Sequence, residues 1–384
     1  MGTQVCAPAT VTVREVTTKR ERRLFVNYPN VLYRDTPQFV PAFYDDDMAD
    51  WDPKKNPAFE YCEAKCWLAW RDGKIVGRIA AILSHRANEK WGTNRMRFSQ
   101  VDFIDDEKVS AALFAAVEAF AREKGCDQIH GPLGFCDLDR EGMLVDGFER
   151  RSMFITYYNH PYYIEHLERL GYRKDTDWLE FKVSVPSPDS PQAQLFHRIA
   201  ERVMRSHELH VATVKHKWQY GKLVDAFFRL VNEAYSPLYG VVELNERQIK
   251  KYKNKFAPLV NPDYACFVMD KDENLVAFGV SAPSMATAMQ KCRGKLFPTG
   301  WAHVLHSLSK NDAIDMFLIA VKPELQGAGV NAIILDYLIH HLAKHGIRYA
   351  ETGPQLESNA KILSQWKKFE KEQHKRRRCF IKDI

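Results

Sequence analysis

No segment of the chain is apolar for long enough to cross a membrane. Its longest apolar runs, of which Met316 to Val321 is typical, fall far short of the roughly 20 residues that a spanning helix needs. Met1 to Cys6 carry neither a basic flank nor an apolar core, so a secretory signal is not expected. Paired cysteines are missing too. The 8 cysteines are scattered with no C-x-x-C step, which argues against a zinc ribbon and a disulfide framework alike. These absences point to reduced thiols, no metal, and a cytoplasmic protein, at most peripheral to the inner face of the membrane.

Charge of one sign is not in large excess, with 55 Lys and Arg against 49 Asp and Glu. The surplus is local: Lys367, Lys368, Lys371, Lys375, Arg376, Arg377 and Arg378 crowd the C-terminal end. Such a run fits a solvated face, a site for an anionic coenzyme or substrate, or contact with an anionic membrane. No nucleic-acid module surrounds it, so nucleic acid is not an expected partner.

What the chain does have is globular composition, 45% hydrophobic and 12% aromatic, over 384 residues, more than one ordinary core holds. The sharpest break is the proline-rich Ser184 to Pro191. It predicts a domain at 1–183, a linker at 184–193 and a second domain at 194–384. The two parts repeat a pattern. Ala121 to Gly125 leads through Cys126 to His130 into Gly131-Pro132, and Ala343 to Gly346 leads through Ile347 to Thr352 into Gly353-Pro354. Each is helix, glycine stop, strand and Gly-Pro turn, preceded by an amphipathic helix with Val109, Leu113, Val117 and Phe120, or Val330, Ile333, Ile334, Tyr337, Leu338 and Leu342, on one face. Each part also carries a hairpin, turning at Asp72-Gly73 and at Asp270 to Asn274.

In the second part, the strand Met316 to Val321 runs through Lys322 to Leu325 into Gln326-Gly327-Ala328-Gly329-Val330-Asn331 and the helix. Glycines let the backbone approach an anion, and the start of a helix offers unpaired N–H groups and a positive dipole end. A P-loop would need Gly-Lys-Ser/Thr here, which Val330-Asn331-Ala332 does not supply. The dinucleotide fingerprint matches literally, and Glu351 follows at a suitable distance. Too few residues remain for the other strands of that fold, however, and the glycines do not follow directly on the strand.

The whole segment Val321 to Asn331 resembles the coenzyme-A pyrophosphate loop of the GNAT acyltransferases, with Gln326 and Gly329 on the family pattern and Asn331 off it. Glu357-Ser358-Asn359-Ala360 resembles the family's asparagine near the pantetheine arm. The resemblance implies an α/β (α+β) protein of two tandem GNAT-like domains, each a mixed, mostly antiparallel sheet flanked by helices. It implies acetyl-CoA or a longer acyl-CoA as co-substrate, held by Ile319, Ala320, Val321, Gln326, Gly327, Ala328, Gly329, Val330, Asn331 and Asn359. The first copy has Asp105-Asp106-Glu107-Lys108 where the loop should be, so it is expected to bind no coenzyme and to help form the substrate surface. Gly131-Pro132, Glu141 to Phe148, Tyr158 to Tyr163 and Lys375 to Cys379 resemble a group of bacterial two-domain GNAT-like proteins, some implicated in long-chain N-acylation including ceramide synthesis.

The implied reaction is attack of a primary amine, small or lipid-borne, on the acyl thioester. Glu351 is the first candidate for the base, with Asp315, otherwise a structural cap, and His303 behind it. Trp366 stands where many family members carry a tyrosine that protonates the leaving thiolate, a task an indole does not perform. That substitution keeps a non-catalytic acyl-CoA-binding or partner-binding protein open as an alternative. A Fem-type aminoacyl transferase is a second alternative, disfavoured by the intact glycines. The segment Gln290 to Trp301, mixing cations with bulky apolar residues, reads either as a guide for an acyl chain or as an exposed loop.

Overall fold

In the computed structural model of the chain, Asp72 and Gly73 take positive φ of 50° and 73°, the left-handed pair a tight hairpin turn requires. The structure describes residues 10–213, 219–256 and 260–384. Cys6 and the rest of the N-terminal segment considered above lie outside them.

The first half runs β1 (Thr12–Glu15), α1 (Lys19–Leu32), α2 (Tyr44–Asp50), β2 (Cys62–Arg71), β3 (Lys74–Ser84), α3 (His85–Trp91), β4 (Arg95–Phe103), α4 (Glu107–Glu123), β5 (Gln128–Gly131), β6 (Met143–Asp146), α5 (Tyr162–Arg169) and β7 (Arg173–Ser184). The second runs α6 (Pro191–Ser206), β8 (His210–Val211), α7 (Gln219–Tyr235), α8 (Glu246–Phe256), β9 (Ala265–Met269), β10 (Leu275–Pro283), α9 (Ala286–Cys292), α10 (Gly300–Ser309), β11 (Ala313–Val321), α11 (Asn331–Lys344), β12 (Tyr349–Thr352), β13 (Gln355–Leu356), α12 (Ala360–Ser364) and β14 (Lys371–Asp383). The expected duplication is present. β3 and β10 pair antiparallel with β4 and β11, a helix follows each of these, and β5 and β12 return parallel to them.

The crossover helices form for the reason their spacing suggests. Val109, Leu113, Val117 and Phe120 of α4 are buried, as are Ile333, Ile334, Leu338 and Leu342 of α11. Each such side chain is worth about 1.5–3 kcal/mol of burial. Two apolar cores result, one around β3, β4 and α4, the other around α6, β9, β10 and α11.

The halves are joined through their last strands, which are exchanged. Among the described residues one sheet runs β1-β2-β3-β4-β5-β14-β7-β12-β11-β10-β9-β8. β14, the end of the chain, lies against β5 of the first half, while β7 lies against β12 of the second, and the two pair antiparallel at the centre. The proline-rich segment 184–193 thus leads out of a strand of the second half's sheet into α6.

This exchange decides the fate of the basic C-terminal run. Lys375 and Arg377 are fully buried and ion-paired with Glu180, and Lys375 also with Glu351. Arg376 and Arg378 bond the buried carboxylate of Asp177. Of the seven cations Lys367, Lys368 and Lys371 are exposed, and Arg376 and Arg378 are partly buried.

Candidate active site

β11 is paired with β12 only from Ala313 to Met316. Beyond that point the two strands part, and the edge of β11 from Phe317 to Val321 has no strand partner on that side among the described residues. A bulge at Phe317, opposite the Val280/Ser281 step of β10, bends the strand where the gap opens. Tyr235 of α7 reaches into the gap and donates its hydroxyl to the Ile319 carbonyl at 3.0 Å.

At the open end of β11 a single turn at Pro323–Leu325 leads to the glycine loop. Gly327 and Gly329 both take left-handed φ, 88° and 86°. A Cβ on Gly329 would stand 3.3 Å from Val203, so glycine is required there for both conformation and space. The N–H groups of Gly327, Gly329, Val330 and Asn331 take no partner among the described hydrogen bonds, and Val330 at the N-cap of α11 supplies no side-chain cap. These donors, with the helix dipole behind them, suit an anion. Gln326 braces the loop by donating to Val321 O at 3.2 Å, and it accepts from Lys361 at 3.1 Å, which brings a cation alongside. The off-pattern Asn331 turns its amide to Gln365 at 3.4 Å.

The gap opens into a cavity of about 300 Å³ between the two halves. Its walls are mostly apolar: Phe317, Leu318 and Ile319 of β11, Phe227 and Phe228 of α7, Trp178 of β7, and Phe154 and Ile155 from the first half. Asn359 lines it while capping α12. Trp366 lines it too, buried, with its indole N–H bonded to Gln355 at 2.9 Å.

Three carboxylates of the first half share this wall, Asp137, Asp139 and Glu141, all on the loop between β5 and β6. Asp139 is tied down: it accepts from the Phe135 and Cys136 N–H groups and from the Tyr252 hydroxyl. Asp137 and Glu141 make no hydrogen bond or ion pair among the described residues, and their exposed atoms face the cavity. Burial pushes Asp137 up to about 6, against the pull of Arg97. Burial, then the charge of Asp137, holds Glu141 well above the usual carboxylate range. Asp137 lies close enough to Tyr235 to add to the upward push that burial exerts on that phenol. The carboxylates are therefore neighbours of the parted edge of β11. The spacing in Asp137-Leu138-Asp139-Arg140-Glu141 was the available signal for them. Of the three, only Glu141 stands out in the sequence, as part of a family likeness.

Of the three residues read as candidate bases, the structure brings none into the cavity. Glu351 sits on β12 in an ion pair with Lys375, with His374 at 3.3 Å. It belongs to the buried network that holds β14. Asp315 is buried beside it on β11, pushed up to about 7 by burial and by the charge of Glu351. His303 lies exposed on the outer face of α10. Among the implied coenzyme residues, Ile319 and Asn359 line the cavity, Gln326 to Asn331 form the loop, and Ala320 and Val321 are buried in the strand between.

Residues 224–362 match the Acetyltransferase (GNAT) family. Protein YghO of Escherichia coli (strain K12) is 27% identical over 380 residues, covering 97% of this chain and 95% of that protein. The Bacterial ceramide synthase of Caulobacter vibrioides is 25% identical over 303 residues, 78% of this chain and 77% of that one. Among solved structures, a tandem GNAT protein from the clavulanic acid biosynthesis pathway superposes with a TM-score of 0.54 at 12% identity, over 97% of this chain and 98% of that one. A GCN5-related N-acetyltransferase from Sphaerobacter thermophilus gives 0.51 at 10% identity, over 97% and 95%. At these identities the structural likeness speaks to fold.

Proposed function

Because residues 224–362 match the acetyltransferase (GNAT) family and the chain is built as a tandem of that fold, we propose that it is an acyl-CoA-dependent N-acyltransferase that joins a long acyl chain to a primary amine. The observation that carries the proposal is the continuity of the open β11 edge with the glycine loop at one end and the apolar cavity at the other. Gly327 to Asn331 receive the pyrophosphate. The pantetheine arm lies along Phe317 to Val321, where a strand would otherwise pair, and the acyl chain occupies the cavity. An acetyl group alone would leave most of that apolar volume empty. The 25% identity to a protein called a bacterial ceramide synthase supports a sphingoid base, or another amine with an apolar tail, as acceptor.

In this reading the proton acceptor comes from the first half. A primary amine arrives as its ammonium, with a pKa near ~10.4 for a lysine-like group. Asp137 and Glu141 sit close enough for the charge of the first to raise the second, so the pair gives up its protons in two steps, and the first step leaves one negative charge facing the cavity. That charge draws the ammonium in, and the ionised carboxylate takes one of its protons. The free amine attacks the thioester carbonyl carbon, the C–N bond forms and the C–S bond breaks. A second nitrogen proton ends on the leaving thiolate, directly or through water, and the carboxylate returns its proton to solvent. Ammonium and thioester thus give amide, free thiol and one proton.

The test is thiol release from palmitoyl-CoA with a sphingoid base and with dodecylamine, beside calorimetric titration with CoA. Turnover is expected to rise with pH as the pair ionises, through about 6 and above. The double variant Asp137→Asn/Glu141→Gln is expected to bind CoA as before, lose roughly 10²–10⁴ in kcat/KM and lose that rising limb. CoA binding without thiol release for any amine would favour the non-catalytic alternative, which Trp366 supports. Absence of CoA binding would sink both readings.

A further inference from the structure

The second half carries a longer insertion than its counterpart: α9, a turn and α10 between β10 and β11, against the single short α3 between β3 and β4. Its inner side is ordinary core. Met285, Met289, Val304 and Leu308 pack against Phe154 and Phe317, two walls of the cavity. Its outer side is not. Phe297 is 78% exposed, Trp301 50% and Leu305 57%. Trp301 and Leu305 lie four apart on one face of α10, and Phe297 stands exposed on the turn just before that helix, so the three make up the exposed apolar ridge of this segment.

The ridge is held out rigidly. The indole N–H of Trp301 bonds Pro298 O at 3.0 Å. Gly294 O accepts from the Tyr44 N–H at 2.8 Å, and Gln290 donates to Pro37 O and Phe39 O at 2.7 and 2.9 Å. Gly294 has positive φ and lies so close to Ala42 O that a Cβ would stand 2.1 Å from it, which fixes the seat of the turn on the first half.

Its charge is one-sided. Between Ser284 and Asn311 the sequence contains Lys291, Arg293, Lys295 and Lys310 and no acidic residue. All four cations are exposed, and none forms an ion pair among the described residues. Aromatic and aliphatic side chains projecting from this base, on a segment whose cations have no ion-pair partner among the described residues, suit the interface of an anionic bilayer. There the rings sit at headgroup depth and the ammonium and guanidinium groups meet phosphate. A protein partner would need complementary acids, and a second copy of this chain would set these cations against themselves. No helix among the described residues is long and apolar enough to cross a membrane, so the contact is a docking and not a span.

We propose that the α9–α10 insertion docks the protein on an anionic lipid surface through Phe297, Trp301 and Leu305. Docking places the cavity one helix layer, about 10 Å, beneath the headgroups. A lipid-borne amine and a long-chain acyl group would then reach it without crossing open water. The surface contact does not depend on the proposed reaction, and vesicle binding tests it alone.

The full chain is sedimented with vesicles of pure phosphatidylcholine and with vesicles containing 30% phosphatidylglycerol, roughly the anionic share used to mimic such surfaces. Expected is at least about tenfold tighter binding to the anionic vesicles, weakened by salt. Phe297→Ser/Trp301→Ser/Leu305→Ser should lose about tenfold or more on both, and Lys291→Gln/Lys295→Gln should lose the preference for the anionic ones. An unchanged thermal transition shows that the variants fold, as substitutions at exposed positions allow. Wild-type protein that stays in the supernatant of both vesicle types overturns the proposal, as does a serine variant that binds like wild type. So does a concentration-dependent dimer that the serine variant abolishes while vesicles bind neither protein.

Discussion

The two halves share a strand order and differ at the start of the helix that joins the two parallel strands. In the second half α11 begins on bare N–H groups behind two left-handed glycines. In the first half α4 begins on Asp106, whose carboxylate accepts from the Lys108 N–H at 2.8 Å and pairs with Arg71 at 2.7 Å. One helix start is left for an anion, and the other is already occupied by the protein's own. The strand bulges differ in the same sense. The second half's opens into an apolar cavity. The first half's, at Gln100, is packed by Arg78, which pairs with Asp102 at 2.6 Å and bonds Gln100 and Phe25 O at 3.0 and 2.9 Å. One copy keeps an open helix start, and the other turns its β5–β6 loop, with Asp137 and Glu141, into its neighbour's cavity.

The largest expected effect tests whether the copies stand alone. Lys375→Met removes the cation between Glu180 and Glu351, and Asp102→Asn strips Arg78 of its partner. Each should cost about 3–5 kcal/mol, because a buried charge is left uncompensated. Both should lower one and the same denaturant transition if the shared sheet makes the halves a unit, and two separated transitions would contradict that. Next comes the helix start. Gly329→Glu forces a side chain into left-handed backbone and a carboxylate toward the pyrophosphate, with an expected loss of about 100-fold in CoA affinity by calorimetry. Asp106→Gly in the other copy should leave the stoichiometry at one CoA per chain. A third, smaller effect concerns the cavity: Leu318→Trp should weaken palmitoyl-CoA about tenfold and spare acetyl-CoA.

The pH dependence of stability sharpens the contrast at the centre of the sheet. Burial pushes Glu180 up, but Arg377 and Lys375 prevail and hold it at about 2, below its ordinary 4.5. Its contribution is therefore complete above pH 4.5 and disappears as the pH falls toward 2. Glu180→Gln should flatten the fall in stability across that window, measured by denaturant titration at several pH values. The smallest effect expected is that of Asn331→Gly, a change of a few tenths of a kcal/mol in CoA binding, since its amide already turns aside to Gln365.

Features fixed by neighbours in sequence were legible before the structure. The Asp72-Gly73 turn, the buried faces of α4 and α11 and the glycine loop depend on residues a few positions apart. The strand exchange was not legible, because β14 finds its partners in β5 and β7, far back along the chain. For the same reason the cations of β14 resembled a surface run: the acids that neutralise them, Asp177, Glu180 and Glu351, are distant in sequence. Glu351 was placed on the right strand, but its partner Lys375 is a tertiary fact. Asp137 and Glu141 gain meaning only once two halves close around one cavity.

The central position of β14 also sets an order of events during synthesis. When the ribosome has released residues 1–183, β5 still has an open edge, and it stays open while the second half emerges. The strand that covers it, β14, is made after every other described strand of the sheet. Both halves must therefore wait, unsealed, for the same segment, and a nascent chain stalled before Lys371 would expose the β5 edge and the flank of β7 together, which makes those two edges the places where a chaperone has most to protect.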